Sequence, residues 1–149
     1  MALNPYAIMH VVLSHLKAQG KLTHVRIGLP KQPPTGELTV AIVMDGIRTP
    51  ELVLDARVLV YDLMVHVFRS FLDDGAQTEL EVARVVGEIT EAFAGDFTLG
   101  GNVRNIDFAG QYGRSVEVNW DYLAFGDVQF RAVAISLPLI VDPAAELVA

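Results

Sequence analysis

Cysteine is absent from the 149 residues of the sequence. Neither a disulfide framework nor a zinc site built from thiolates is therefore possible. Long apolar runs are missing too, because the longest apolar region, residues 58–68, is interrupted by Asp62 and His66. It falls short of the roughly 20 apolar residues that span a membrane. The first residues lack the basic segment and the apolar run of a secretory signal, so we expect no export by that route.

Basic residues are scarce, with 11 lysines and arginines against 18 acidic residues and a net charge of −7. A surface that holds nucleic acid needs clustered cations to displace the counterions of the phosphates. Here the three lysines all occur within the first 31 residues, and the eight arginines are scattered. The composition therefore argues against a nucleic-acid-binding surface.

Apolar residues are abundant, at 52% of the chain against 19% charged residues. A chain of this length fits one domain that buries a core of its own. Apolar surface beyond the needs of that core is usually covered by a partner in a soluble protein. A partner subunit is the simplest cover, and the composition therefore favours an assembly.

The start of the chain carries the pattern of an amphipathic helix. Asn4 followed by Pro5 is typical of a helix N-terminus, with asparagine as the cap and proline at the first helical position. Apolar residues then recur at helical spacing up to Gly20, a residue type that commonly ends helices. A first helix is predicted over about residues 5–19.

A second helix is predicted over about residues 79–94, where an apolar stripe faces a charged one. Thr78 and Glu81 have the spacing of a capping box, in which each side chain binds a free amide at the helix start. Gly95 marks the end of the helix.

Strand patterns fill the rest of the chain. Asp45 and Gly46 predict a hairpin turn, and Pro138 within the last strand predicts an edge position or the end of regular pairing. The β-branched residues of 52–69 favour a strand over the competing helix. The sequence thus predicts a single α+β domain, with a mostly antiparallel, sandwich-like sheet flanked by two helices. The predicted strands cover about residues 24–27, 37–44, 52–69, 103–108, 116–122 and 129–141.

Side chains that could carry catalysis form no convincing motif. No two histidines have the i, i+4 spacing of a metalloprotease site. Asp62 and His66 fall on one face of a predicted strand and could act in acid–base chemistry, but a hydrogen-bonded pair in or near an interface is the favoured interpretation. Ser115 lacks the second glycine of a nucleophile elbow. We therefore expect no enzymatic activity, no metal and no cofactor.

A glycine-rich segment follows the second helix and contains Gly95, Gly100 and Gly101. No Lys-Ser or Lys-Thr follows it, and phosphate-binding loops precede helices rather than follow them. A sharp turn from helix into strand is the favoured interpretation, since glycine adopts backbone conformations that other residues avoid.

Aromatic residues cluster late in the chain, with too few basic neighbours to form a stacking platform for single-stranded nucleic acid. Aromatics are enriched at protein contacts, although ordinary sheet packing is an equal alternative for these. The proline-rich loop of residues 28–36 is a further candidate surface. The candidate interface residues are Tyr112, Trp120, Tyr122, Phe125, Pro33 and Pro34.

Two stretches of the C-terminal half are similar to a known family. Residues 94–107 (AGDFTLGGNVRNID) lead from a helix through a Leu-Gly-Gly turn into a strand, and residues 130–141 (FRAVAISLPLIV) form an apolar last strand around a proline. They resemble the tail-terminator proteins of long-tailed bacteriophages, also called tail-completion or head–tail joining proteins. The loop of residues 28–36 and the strand after it resemble the N-terminal half of that family more loosely.

The resemblance implies a structural protein of the virion, located in the tail or neck and assembled in the host cytoplasm. Such proteins form a ring, generally a hexamer, on the head-proximal end of the tail tube, where they end its polymerisation. The implied partners are further copies of the chain, the tail tube protein and the head-side connector or stopper protein. Double-stranded DNA passes through the channel without specific binding, and no membrane is involved. Another neck component, such as a connector-side completion protein, or a tube subunit is the alternative, because a related fold serves all of them.

Overall fold

The computed structural model describes residues 4–20, 22, 24–31, 37–49, 58–70 and 75–141, except for the side chain of Phe125. Among these residues the chain forms two helices and six strands, which make a single α+β domain as predicted. In chain order they are α1 (Pro5–Lys17), β1 (Val25–Ile27), β2 (Thr39–Arg48), β3 (Leu59–Ser70), α2 (Gly75–Gly95), β4 (Asn105–Ile106), β5 (Val118–Phe125) and β6 (Val128–Val141).

All six strands belong to one sheet, in the order β1-β2-β3-β6-β4, and β5 also pairs with β6. Only β1 and β2 are parallel; the other neighbouring strands are antiparallel. The long strands β3 and β6 pair along the whole of β3 and form the centre. The mostly antiparallel sheet is confirmed, whereas the sandwich-like arrangement is not, because the described strands make a single sheet.

Both helices pack on the same side of the sheet, which we call the helical face and which carries Leu63, Val65 and Val67 of β3. The apolar stripes of α1 and α2 are buried there. Side chains alternate along a strand, so Asp62, Met64 and His66 lie on the opposite side, the outer face. The alternate residues of β6 that face the helices all lie in the core: Val133, Ile135, Leu137, Leu139 and Val141.

The first helix begins as predicted and ends slightly early. The side chain of Asn4 accepts a hydrogen bond from the backbone N–H of Ala7 at 2.8 Å, the expected cap. The helix ends at Lys17 rather than near residue 19. There the backbone tightens, since the N–H of Gly20 donates to the carbonyl of Lys17 at 3.1 Å, and Gly20 has a φ of +71°.

The second helix begins at Gly75, four residues before the predicted start at 79, and ends at Gly95 as predicted. The predicted capping box is wrong. Thr78 lies inside the helix and is buried, and Glu81 forms an ion pair with Arg69 of β3 at 3.0 Å. A threonine three residues before a glutamate suits a helix interior as well when its side chain faces the core.

The predicted turn at Asp45 and Gly46 is also wrong. Strand β2 continues through both residues to Arg48, with a shift in register between Met44 and Gly46. An Asp-Gly pair fits such a β-bulge because glycine tolerates the irregular backbone. The antiparallel pairing of β2 with β3 is nevertheless the one that the hairpin prediction implied.

Pro138 lies inside the sheet opposite Asp62, so the predicted edge position is wrong, whereas the other predicted outcome, an end of regular pairing, occurs beside it on one side only. Its carbonyl accepts the N–H of Asp107 at 2.9 Å, and its peptide group therefore faces the side of β4 and β5. On that side the β5 register ends at Ile135 and the β4 register begins at Leu139. The N–H that proline lacks falls in the gap between those two strands.

Residues 96–104 turn the chain from α2 towards β4. Gly100 and Gly101 have φ angles of +69° and +83°, a region that favours glycine. The carboxylate of Asp96 accepts the N–H of Gly100 at 2.9 Å, and Leu99 is buried in the core. The segment is a structural turn, and the strand predicted over residues 103–108 is reduced to the short β4.

Candidate protein–protein interface

Asp62 forms an ion pair with Arg48 and not the predicted pair with His66. It is 3% exposed, and both carboxylate oxygens accept hydrogen bonds from the guanidinium, at 2.5 Å from Nε and 3.1 Å from Nη2. The hydrogen bond to Asp62 raises the pKa of Arg48 above its ordinary value. Arg48 also donates to the carbonyl of Tyr112 and so ties the segment before β5 to the sheet. A bidentate pair of this kind is structural, and it does not orient an imidazole for acid–base work.

His66 lies half-buried on the outer face. Burial lowers the pKa of its imidazole below the ordinary 6.5, and the negative charge of Asp45 offsets part of that effect. The carboxylate that acts on His66 is therefore Asp45 and not the predicted Asp62.

The lowered pKa of His66 predicts a pH dependence of stability. Because the unfolded chain takes up the proton more readily, the free energy of unfolding rises with pH in this range. The contribution is fully present above the unfolded value of 6.5 and is lost as the pH falls through the lower pKa of the folded state. We expect His66→Gln to flatten this fall in denaturant titrations at a series of pH values. An unchanged slope below pH 6.5 would contradict the burial of the imidazole.

The other side chains that could act in catalysis, including His15, Asp96 and Ser115, form structural hydrogen bonds. A hollow of about 450 Å³ between α1 and the turn after α2 is lined in part by His10, His15 and Asp96. Nε2 of His15 lies 2.9 Å from the carbonyl oxygen of Ala92, and Asp96 holds the turn as described. The hydroxyl of Ser115 donates a hydrogen bond to the carboxylate of Glu117 at 3.4 Å.

Metal sites and membrane helices are not found within the described ranges. No group of three or more His, Cys, Asp or Glu side chains there is placed to hold a metal ion. Neither α1 nor α2 has both the length and the apolar character needed to cross a membrane.

The structure brings together two of the predicted interface residues. Trp120 and Tyr122 lie on the same side of β5 and are 41% and 58% exposed. Tyr112 is separate from them, half-buried against an apolar cluster that contains Val60 on the outer face. The other predicted residues lie outside the described part of the chain: the side chain of Phe125, and Pro33 and Pro34.

A fixed cation supports the two aromatic rings. The guanidinium carbon of Arg131 lies 4.3 Å from the centre of the Tyr122 ring and 5.3 Å from that of Trp120. Glu79 of α2 accepts two hydrogen bonds from Arg131, at 2.8 and 3.0 Å, and these raise the pKa of Arg131 above its ordinary value. We call Trp120, Tyr122, Arg131 and Glu79 the aromatic cluster. Glu79 could not be found from the sequence, because it is 52 residues from Arg131 and carries no local signal.

The aromatic cluster borders an edge of the described sheet. β5 pairs with β6 along its length, and no other described strand pairs with it. The N–H of Ser136 donates to the carbonyl of Glu117 at 2.9 Å, which sets the alternation of the strand. The peptide groups that face away from β6 are therefore those of Val118, Trp120, Tyr122 and Ala124.

An exposed edge of this kind can accept another strand. Its outward N–H and C=O groups supply hydrogen bonds, and the rings beside them supply apolar area. These groups could therefore form a contact with a strand of another protein.

Comparison with known proteins does not add to this site. No model of a protein family matches the chain, and no curated protein matches it.

Proposed function

We propose that this chain is a structural subunit of a tailed-bacteriophage virion, a tail terminator that forms a ring on the head-proximal end of the tail tube. The ring ends the polymerisation of the tube and joins the tail to the connector or stopper protein of the head. Its partners are further copies of the chain, the tail tube protein and that head-side protein. Double-stranded DNA passes through the channel without specific binding. The role is mechanical and uses no cofactor.

The β5 edge with its aromatic cluster is the observation that carries the proposal. Tryptophan, tyrosine and arginine are the residue types that contribute most at protein contacts. The ion pair between Arg131 and Glu79 holds the rings in place before a partner arrives, which lowers the entropy lost on binding. A protein that works by self-association needs such a surface, and a monomer gains nothing from exposing it.

The family resemblance supports the kind of assembly. Its two quoted stretches build the turn between α2 and β4 and the central strand β6, so they belong to the framework of the fold. The acidic balance of the chain agrees with a channel through which DNA slides, because few cations are available to hold phosphates.

Phage production with and without the chain tests this proposal. In its absence we expect electron micrographs to show tails of uncontrolled length and heads without tails, because nothing stops the tube or seats the head. Supplying the wild-type chain should restore both features. The His66→Gln chain should restore them equally, since no step uses the imidazole. Tails of normal length joined to heads in the absence of the chain would refute the terminator role.

A further inference from the structure

We propose that the β5 edge of one copy pairs with the β1 edge of the next copy, with Asp121 opposite Arg26. This inference rests on the ring assembly proposed above and names the two surfaces that join its subunits. Among the described strands, β1 ends the sheet on one side, and β5 lies beyond β6 on the other, next to the short β4. Each copy therefore offers two different edges, as a head-to-tail contact requires.

The strand directions suit this contact. β1 runs parallel to β2, and the three pairings that lead on to β5 through β3 and β6 are antiparallel. β1 and β5 thus run in opposite directions. Two copies placed side by side in the same orientation bring these strands together as an antiparallel pair, which continues the sheet.

The peptide groups of β1 have the alternation that the contact needs. The N–H of Val40 in β2 donates to the carbonyl of His24 at 2.8 Å. Residues of a strand turn their peptide groups alternately to either side, so Arg26 also faces β2. The peptide groups of Val25 and Ile27 then face outwards, like those of Trp120 and Tyr122 in β5.

One register allows the outward-facing peptide groups of both edges to form hydrogen bonds with each other. With Arg26 opposite Asp121, outward peptide groups meet outward peptide groups on either side of that pair. Arg26 and Asp121 form a non-hydrogen-bonded pair, in which the side chains of antiparallel strands come closest. The flanking pairs are Val25 with Tyr122 and Ile27 with Trp120.

The same register also matches the two faces of the sheet. Val25 lies beside the core residue Val40 and Trp120 beside the core residue Val133, so these side chains belong to the helical face. Aromatic rings opposite β-branched side chains are favourable cross-strand pairs. Arg26 and Asp121 lie together on the outer face.

Charge distinguishes this contact from the pairing of two like edges. On the β5 side, Glu117, Asp121 and Asp127 are exposed, and none forms an ion pair with another described residue. On the β1 side, Arg26 and Lys31 are exposed and equally without an ion pair in the described ranges. Two β5 edges would bring acidic groups together, whereas β1 against β5 joins opposite charges.

Docking also rearranges one hydrogen bond. In the single copy the carboxylate of Asp121 accepts the N–H of Tyr122 at 2.7 Å. When the guanidinium of Arg26 takes that carboxylate, the N–H of Tyr122 becomes available to the carbonyl of Val25 in the neighbouring copy. The contact thus exchanges a local hydrogen bond for one between copies.

Charge reversal tests the contact, with assembly followed by sedimentation over a concentration series, in solution and on purified tail tubes. Arg26→Glu and Asp121→Arg should each raise the concentration for half-assembly about tenfold or more, because like charges then face each other. The double variant should return to within about threefold of wild type, since the swapped pair is attractive again. Arg104→Glu and Glu91→Arg are the matched controls, because both residues are exposed and lie on neither β1 nor β5.

The outcomes separate this inference from the proposed function. If the wild-type chain assembles and the single reversals assemble equally well, the contact lies elsewhere and only the inference is overturned. Failure of the double variant to recover overturns it as well. A wild-type chain that assembles neither in solution nor on tubes overturns the inference and the proposed function together.

Discussion

Replacement of Phe93 by alanine is expected to lower the free energy of unfolding by about 3–5 kcal/mol. Phe93 is 1% exposed, and its ring lies on α2 against the sheet core. It also stacks on the ring of His15 from α1, with 5.7 Å between ring centres and 17° between planes. The loss combines burial energy with a cavity between both helices and the sheet. Chemical denaturation at constant pH measures it.

Phe97 supplies the control for that measurement. It follows α2 closely in the chain but is 53% exposed, so Phe97→Ala should change the free energy of unfolding by no more than about 0.5 kcal/mol. Equal losses in the free energy of unfolding for the two variants would contradict the packing of α2, because they would mean that Phe93 is no more buried than Phe97.

Removal of the Trp120 ring is expected to weaken self-association while leaving the fold intact. Trp120→Ala should raise the concentration for half-assembly about 30-fold, which corresponds to about 2 kcal/mol for a residue at the centre of a contact. The Trp120 ring is 41% exposed, and the guanidinium carbon of Arg131 lies 5.3 Å from its centre. The free energy of unfolding should therefore fall by no more than about 1 kcal/mol.

Tyr6→Ala is the matched control for Trp120→Ala. Tyr6 is an aromatic residue of α1 that is 74% exposed and lies on neither β1 nor β5. Its removal should leave the sedimentation profile unchanged. An equal loss of assembly in both variants, or none in Trp120→Ala, would mean that the aromatic cluster is not the contact.

Regular patterns in the sequence predict the framework of the fold well. The stripe Ile8, Val12 and Leu16 predicts α1 because helical periodicity is a property of the segment itself. The alternation along β6 likewise predicts which of its side chains enter the core. Both patterns need only one buried surface to pack against, and the core between the helices and the sheet is that surface.

Residues whose structural role depends on a neighbouring strand are harder to interpret from the sequence. Pro138 suggests an edge, but whether its missing N–H is needed depends on where β4 and β5 end, which lies far away in the sequence. Asp45 and Gly46 suit a turn and a bulge equally, and the pairing with β3 decides between them. Such outcomes follow from tertiary contacts rather than from local preference.

The candidate interface is predictable in its residue types and not in its geometry. Trp120 and Tyr122 stand out in the sequence because aromatics favour protein contacts. The contact of these rings with Arg131 and Glu79 cannot be predicted without the tertiary fold. The position of β5 at an edge of the described sheet cannot be predicted without the strand order. Arg26 carries no signal at all until β1 is known to be the opposite edge.

The mass of the assembly that the wild-type chain forms, alone and on purified tail tubes, decides whether the chain is a ring-forming subunit. Sedimentation together with electron microscopy of the same samples measures it. We expect a closed hexameric ring, either free at high concentration or seated on tube ends. A chain that stays monomeric at every concentration and leaves the tube ends bare would contradict it.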